Sequence, residues 1–416
     1  MTTPGQTMHW TSVLSTRASL ETAVNEVVEQ AQRSLEVLPD LGFVFISSAF
    51  ASEFPRLLPL LQEQLAIPTL VGCSGGGVVG CADDGSPTEV EDKPALSLSL
   101  AHLPQVDLHA FHLSADDLPD LDSPPDQWVE AIGVAPDTNP QFVLMADPYS
   151  PGINDLLQGL DFAYPGSVKV GGLAGIGSFN KSSGLFCNNR LYTDGIVGVA
   201  LSGNITLDAI VAQGCRPIGQ PYRVVEGERN VVLKLDDGTE QGVHSVRPPI
   251  EILQELFETL SEADRQLAQQ SLFIGVEQSG FKPTLGHGDF LIRNLLGVDP
   301  RLGAIAIGDR VRPGQRVQFH LRDARTSAED LDLLLSRYPA VPLASNPTAM
   351  GALMFSCMGR GEGLYETPSF DAHLFDRYLK QVPLSGFFCN GEIGPIGGTT
   401  FLHGYTSVFA ICRQPD

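Results

Sequence analysis

Apolar residues recur along this chain at two spacings, and the switches between them lay out the elements. From Thr16 to Leu35 they stand at Leu20, Val24, Val27, Val28, Ala31 and Leu35, the spacing of an amphipathic helix. Gly42–Phe50 (GFVFISSAF) is a continuous apolar run ending in small polar residues, which predicts a buried strand. Glu53–Leu65, with Pro55 early in it, predicts a second helix. Pro68–Gly80 (PTLVGCSGGGVVG) predicts a strand running into glycine, and Lys93–Leu103 alternates as a strand. Residues 1–9 read as a polar lead.

The same order then recurs. Gln141–Gly152 is a strand and a polar turn, Ile153–Leu160 a short helix, Ser167–Gly177 a strand into glycine and Gly195–Gly203 a strand. Gly72 lies 29 positions after Phe43, and Gly171 lies 29 after Phe142. A third copy follows near the C-terminus: Met350–Gly361, a helix at Phe370–Leu379, Pro383–Gly394 and Thr406–Cys412. Strand–helix–strand crossovers predict parallel pairs, and the returning strands predict antiparallel ones, so the sheets are expected to be mixed. Between the second and third copies the pattern differs. Arg223–Lys234 with Asp236-Asp237-Gly238 predicts a hairpin, Pro248–Gln269 is helical, strands follow near Phe273, Phe290, Ala304 and Val317, and a helix covers Ser327–Tyr338. A chain of 416 residues exceeds one ordinary core. The expected fold is therefore α/β, two domains with mixed sheets built from repeated strand–helix–strand–Gly-loop–strand units, divided near residues 238–245.

Charge narrows the partners. With 26 Lys and Arg against 49 Asp and Glu, the net charge is -23, and such a surface repels nucleic acid and anionic membranes. The seven cysteines, Cys73, Cys81, Cys187, Cys215, Cys357, Cys389 and Cys412, are odd in number and form no C-x-x-C pair. That argues against a disulfide framework and a structural zinc site. With no apolar leader and no run of ~18 apolar residues, a cytoplasmic protein is expected. His102, His109 and His112 cluster, but strand alternation around Leu108 and Leu113 argues against a metal site. Gly75–Gly80 (GGGVVG) matches G-x-G-x-x-G, yet the acidic, turn-rich Cys81–Asp92 follows where a dinucleotide site needs a helix. No G-K-[ST] loop or H-E-x-x-H occurs, and no metal or other cofactor is expected.

Three long segments, Gly288–Ala324, Phe355–Gly361 (FSCMGRG) and Pro383–Phe409, resemble the C-terminal part of the FIST family. Val71–Gly80, Val170–Gly175 (VGGLAG) and Gly214–Gly219 (GCRPIG) resemble its N-terminal part. The resemblance runs from about Leu38 to Ile411. It implies a FIST N domain at 38–240, preceded by the helix at 16–35, and a FIST C domain at 241–412. It also implies a sensory module for a small ligand, with amino acids proposed as ligands; a related arrangement follows an F-box in ubiquitin-ligase adaptors. Nothing before Thr16 or after Cys412 has the length of an effector domain, so the signal is expected to leave through a protein partner.

The residues themselves point to a site at strand ends. FSCMGRG and FFCNGEIG each close a strand with phenylalanine, cysteine and glycine and then place one charge, Arg360 or Glu392. Ligands of open α/β sheets bind at such ends. Arg360 is suited to a carboxylate and Glu392 to an ammonium, with Asn390 offering donor and acceptor; the set fits an amino acid. Cys389, Asn390 and Gly391 are the expected floor, and Gly361, Gly394, Cys73, Ser74 and Gly75 complete the expected ligand-binding loops. The alternatives are a structural Arg360–Glu392 pair, two solvent-facing charges, or an enzyme using Cys73, Cys357 or Cys389 with His287 or His403 as base. No helix follows Cys389 to lower its thiol pKa, buried cysteine is common, and no catalytic residue is assigned.

Overall fold

A computed structural model of the chain describes residues 7–175, 183–238, 245–278, 289–338 and 349–415. The first copy of the repeat is β1 (His9–Ser15), α1 (Leu20–Ser34), β2 (Leu41–Ser47), α2 (Phe54–Gln62), β3 (Thr69–Gly75), the hairpin β4 (Gly77–Cys81) and β5 (Pro87–Glu91), and the returning strand β6 (Leu96–His102). The second is β7 (Val106–Leu113), α3 (Pro125–Ile132), β8 (Gln141–Ala146), α4 (Ile153–Ala163), β9 (Lys169–Leu173), the hairpin β10 (Leu185–Cys187) and β11 (Arg190–Tyr192), and β12 (Ile196–Gly203). The third opens with β13 (Thr206–Ala212).

An insertion interrupts the third copy: β14 (Arg216–Glu228), β15 (Val231–Asp236), β16 (Val246–Arg247), α5 (Pro249–Thr259), α6 (Glu262–Ala268), β17 (Leu272–Glu277), β18 (Phe290–Asp299), β19 (Ala304–Ile307) and β20 (Arg316–Leu321). The repeat then resumes with α7 (Ala324–Arg337), β21 (Ala349–Cys357), the short α8 (Glu362–Tyr365), α9 (Phe370–Tyr378), β22 (Leu384–Cys389), the hairpin β23 (Glu392–Ile396) and β24 (Thr399–His403), and β25 (Ser407–Arg413). In space the chain forms two compact units, residues 1–212 with 331–416, and residues 213–330.

The larger unit holds three six-stranded sheets of one design. Their orders are β1-β6-β2-β3-β10-β11, β7-β12-β8-β9-β23-β24 and β13-β25-β21-β22-β4-β5. In each, the crossover pair is parallel and the returning strand antiparallel. The repeat, the mixed sheets and the pairing of Leu353–Ser356 with Leu384–Phe388 are therefore as expected. What periodicity did not indicate is that every copy gives its hairpin to another copy's sheet. β4 pairs with β22, β10 with β3, and β23 with β9. The inner faces meet in one core, where Phe45, Cys73, Met145, Val170, Phe355 and Phe387 pack together. Helices cover the outer faces: α1 and α2, α3 and α4, and α7 and α9 each seal one sheet.

A glycine marks the same place in each crossover. Gly72 stands opposite Val44, Gly171 opposite Leu144 and Gly386 opposite Met354. A Cβ on these glycines would fall 1.9, 1.8 and 1.9 Å from the facing carbonyl oxygens. Only glycine lets the parallel strands approach this closely.

Several elements differ from expectation. The stretch between the polar lead at 1–9 and the first helix, to which the sequence pattern assigns no element, is β1, whose Thr11, Ser12 and Ser15 are buried. Their hydroxyl-rich composition hides the strand, because the partners are internal: Ser12 Oγ donates to Leu384 O at 2.7 Å, and Trp10 Nε1 donates to Ser99 Oγ at 2.7 Å. Pro248–Gln269 is two helices, broken at Leu260–Ser261, where the Ser261 hydroxyl caps α6 by accepting from Asp264 N. In the smaller unit the sheet closes on itself through the β14–β15 pairing, around Val224, Val232, Ile274, Val317 and Phe319. The tight turn of that hairpin is Arg229-Asn230, not the D-G pair, because Arg229 takes the left-handed conformation (φ 55°). Most of the expected boundary at 238–245, residues 239–244, lies outside the described residues, as does His287.

Candidate functional site

The C-terminal ends of β3, β9 and β22 meet, and three backbone hydrogen bonds close them into a ring. Gly76 N donates to Phe388 O at 3.1 Å, Asn390 N to Leu173 O at 3.0 Å, and Gly175 N to Ser74 O at 2.9 Å. Counted from Gly72, Gly171 and Gly386, the acceptors stand two residues on and the donors four residues on. The ring is thus cyclic in the three copies as well as in space. It needs glycine where the loops touch: a Cβ on Gly175 would lie 1.9 Å from Gly76 N, and one on Gly172 would lie 2.4 Å from Cys389 Sγ.

Side chains tie the neighbouring loops to this ring. Ser74 Oγ donates to Gly175 O at 3.1 Å and accepts from Gly184 N at 3.1 Å. Asp147, buried at the end of β8, accepts from Tyr149 N, Ser150 Oγ and Ser183 Oγ. Tyr149 and Met358, which follow the ends of β8 and β21, are exposed although large and apolar. Met358 lies over Gly76, whose Cβ position is 2.8 Å from its Cε.

The sequence-derived residues divide into two groups. Ser74, Gly75, Cys389, Asn390 and Gly391 come together at or beside the ring. Asn390 is exposed, while Gly391 is buried and its carbonyl accepts from Leu173 N at 2.7 Å. Cys73 and Cys389 lie beneath, fully buried in the shared core, and burial pushes both thiols well above their ordinary range. Cys357, the register partner of Cys389, is half-buried. His403 is buried, with its Nε2 2.9 Å from Gly394 O. Gly394 lies down β23, packed on Val211 and Val408.

Arg360 has a different partner from the one the sequence suggested. Its Nε donates to Asp371 Oδ2 at 2.7 Å and its Nη2 to Asp371 Oδ1 at 3.0 Å, so the planar fork is filled from within the chain. Its Cζ also sits 5.5 Å from the centre of the Tyr365 ring. Glu392 is buried and accepts from Thr406 N at 3.0 Å. Gly361 takes φ +64° against the Glu91 carboxylate. Asp371, Glu89 and Glu91 escaped sequence reading. Glu89 and Glu91 sit in an acidic stretch that reads as solvated surface, and nothing local shows that β5 is carried to another copy's sheet.

The Cys81–Asp92 segment after GGGVVG opens on the last residue of strand β4 and carries strand β5, so no helix N-terminus follows those glycines. His112 stacks on Tyr192 and His102 pairs with Asp40. Among the described residues no His, Cys, Asp and Glu group is placed to hold a metal ion, and no helix is long and apolar enough to cross a membrane. A polar cleft of about 840 Å³, lined by Ser12, Arg33, Cys81, Asp84, Lys380 and Pro383, opens at the start of β22 rather than at its ring end.

Comparison with known proteins places the chain. The model of the FIST N domain matches residues 40–238 and that of the FIST C domain residues 249–395. An uncharacterized protein of Mycobacterium tuberculosis is 33% identical over 407 residues, covering 96% of this chain and 98% of that one. One of Mycobacterium bovis is 34% identical over 381 residues, covering 90% of each. An F-box/LRR-repeat protein of Arabidopsis thaliana is 27% identical over 119 residues, 25% of this chain and 22% of that one. FIST domains are sensory domains, and by these matches the chain belongs to the FIST family, with both its N and its C domain.

Proposed function

We propose that this protein senses a small polar ligand, an amino acid or similar zwitterion, at the mouth of the three-strand ring and hands the signal to a protein partner. The observation that carries the reading is the ring itself. It gathers three glycine-containing strand ends at the carboxyl ends of parallel strands, the edge where open α/β sheets bind ligands. In this reading the exposed Asn390 makes the contact, supplying both a donor and an acceptor, and the buried Ser74, Gly75 and Gly391 shape the ring behind it. Cys73 and Cys389 form the floor. Arg360, Gly361, Glu392 and Gly394 hold the surrounding loops rather than the ligand. The protein is cytoplasmic in this reading, and its acidic surface keeps it from nucleic acid and anionic membranes. Nothing in it calls for a cofactor. Thiol catalysis is disfavoured because burial raises the Cys73 and Cys389 thiols, the reverse of nucleophile activation.

The test is a thermal-shift screen with amino acids and small carboxylates. A ligand at ~100 times its dissociation constant stabilises by about 2.7 kcal/mol. A screen in which none of these compounds moves the melting temperature removes the amino-acid reading.

A further inference from the structure

Beside the ring lies a buried ionisable network that ligand contact does not explain. Glu89, on β5, is only 7% exposed. Its Oε1 accepts from Ala372 N at 2.7 Å, in the first turn of α9, and its own backbone N donates to Ser369 Oγ at 3.0 Å. Its Oε2 has no hydrogen-bond partner among the described residues. The charged and titratable groups facing it are Glu91 on the same strand, Asp371 on α9, and Arg360 in the loop after β21. Arg360 is engaged by both oxygens of Asp371. On α8, Glu362 N donates to Glu91 Oε1 at 2.8 Å, and Tyr365 bonds Arg360 through its hydroxyl. Three carboxyl groups therefore crowd around one guanidinium that has spent its fork on a single one of them.

We propose that Glu89 is held as the neutral acid in the folded protein and is a positioning residue: its proton lets Asp371 keep Arg360 and so fixes the Cys357–Gly361 loop beside the ring. Ionisation would place a second carboxylate, without a cation of its own, next to the Asp371–Arg360 pair in a buried site, which weakens the contacts of β5 with α9 and of α8 with β5. Burial first, and the Asp371 carboxylate second, push the Glu89 carboxyl up to about 8. A carboxyl whose folded value is raised contributes stability present in full below its unfolded value of 4.5 and lost as pH rises through about 8. The importance of the loop for binding rests on the ligand site proposed above; the proton on Glu89 does not.

The experiment compares the parent with Glu89→Gln, which keeps the shape and cannot ionise, without any ligand. Unfolding midpoints in urea at about pH 6 and about pH 9 should show the variant gaining on the parent, as the parent's folding equilibrium weakens by up to about tenfold per pH unit between 4.5 and about 8 and levels off above it. Iodoacetamide labelling of Cys357, compared between the two proteins at each pH, reports the loop. The parent should label several-fold faster than the variant at the higher pH and equally at the lower. A midpoint difference independent of pH overturns the buried proton, and equal labelling at both values overturns the positioning role. Should Glu89→Gln not fold, infrared titration of the parent decides. A protonated-carboxyl band lost near pH 8 supports the proposal, and its absence at pH 6 overturns it. None of these readouts depends on the ligand, so their failure is separate from failure of the screen.

Discussion

The Arg360 guanidinium and the Asp371 carboxylate lie side by side, Nε to Oδ2 at 2.7 Å and Nη2 to Oδ1 at 3.0 Å, with neither side chain more than 1% exposed. Eleven positions apart in sequence, they join the loop after β21 to the first turn of α9. Removing one member leaves the other charge buried and unpaired. Arg360→Ala and Asp371→Asn should each cost about 3–5 kcal/mol in urea unfolding. Arg360→Lys should recover little, because an ammonium cannot reproduce the fork. Replacing both residues by apolar ones of similar volume should restore much of the loss. If Arg360→Ala moves stability by no more than the ~0.5 kcal/mol of an ordinary surface change, the pair is not what holds the loop.

The glycines of the three crossovers make a second set. Gly72→Ala, Gly171→Ala and Gly386→Ala each drive a methyl into a facing carbonyl oxygen, at 1.9, 1.8 and 1.9 Å. Backbone, not a flexible side chain, would have to move. Each substitution should destabilise by at least the ~1–3 kcal/mol of an overpacked core, and by similar amounts in all three copies. One position that tolerates alanine freely would show that its copy is packed differently from the other two.

These glycines are also where the sequence was most legible. The equal spacing of Phe43 to Gly72 and of Phe142 to Gly171 points to the repeat, although the residues that face those glycines across the crossovers are Val44 and Leu144, one and two positions further on. Periodicity reports what each segment buries, not which sheet receives it. The exchange of β4, β10 and β23 between copies was therefore invisible, as was the ring that the exchange creates. Arg360 and Glu392 stand out in the sequence as charges at strand ends, and both are at strand ends. Their partners, Asp371 and Thr406 N, lie across an α-helical loop and a hairpin. Nothing in the local sequence ranks those partners above solvent or ligand. β1 is hidden in the sequence for a related reason: its hydroxyls are satisfied by groups as distant as Leu384 O.

The thiols offer a test of the enzymatic alternative. Cys73 and Cys389 are fully buried, and burial raises both. Cys357 is only half-buried. Brief alkylation of the native protein followed by peptide mapping should find Cys357 modified first, with Cys73 and Cys389 protected until the protein is unfolded. Rapid, selective modification of Cys389 in the folded state would reopen the case for a nucleophilic thiol.

The ligand reading turns on separating contact from support. Gly391 is a poor probe, although its loop is central. A Cβ there would meet Leu173 Cδ1 at 3.1 Å, Leu402 Cδ1 at 3.2 Å and His403 O at 3.4 Å, so it points into packing and not toward solvent. Gly391→Val should therefore lose stability by about 1–3 kcal/mol, and any loss of binding would be ambiguous. Asn390 is the cleaner position. Its backbone N–H is committed to Leu173 O, but its side chain is exposed at the end of β22. Asn390→Ala keeps the backbone bond and removes only the amide. With a ligand found by the screen, it should bind roughly two- to tenfold more weakly, the worth of one neutral hydrogen bond, while the urea midpoint without ligand stays unchanged. Calorimetric titration of parent and variant measures the first, and urea unfolding the second. Equal affinity in the two proteins would place the ligand away from the ring, and the polar cleft at the start of β22 would become the next site to probe.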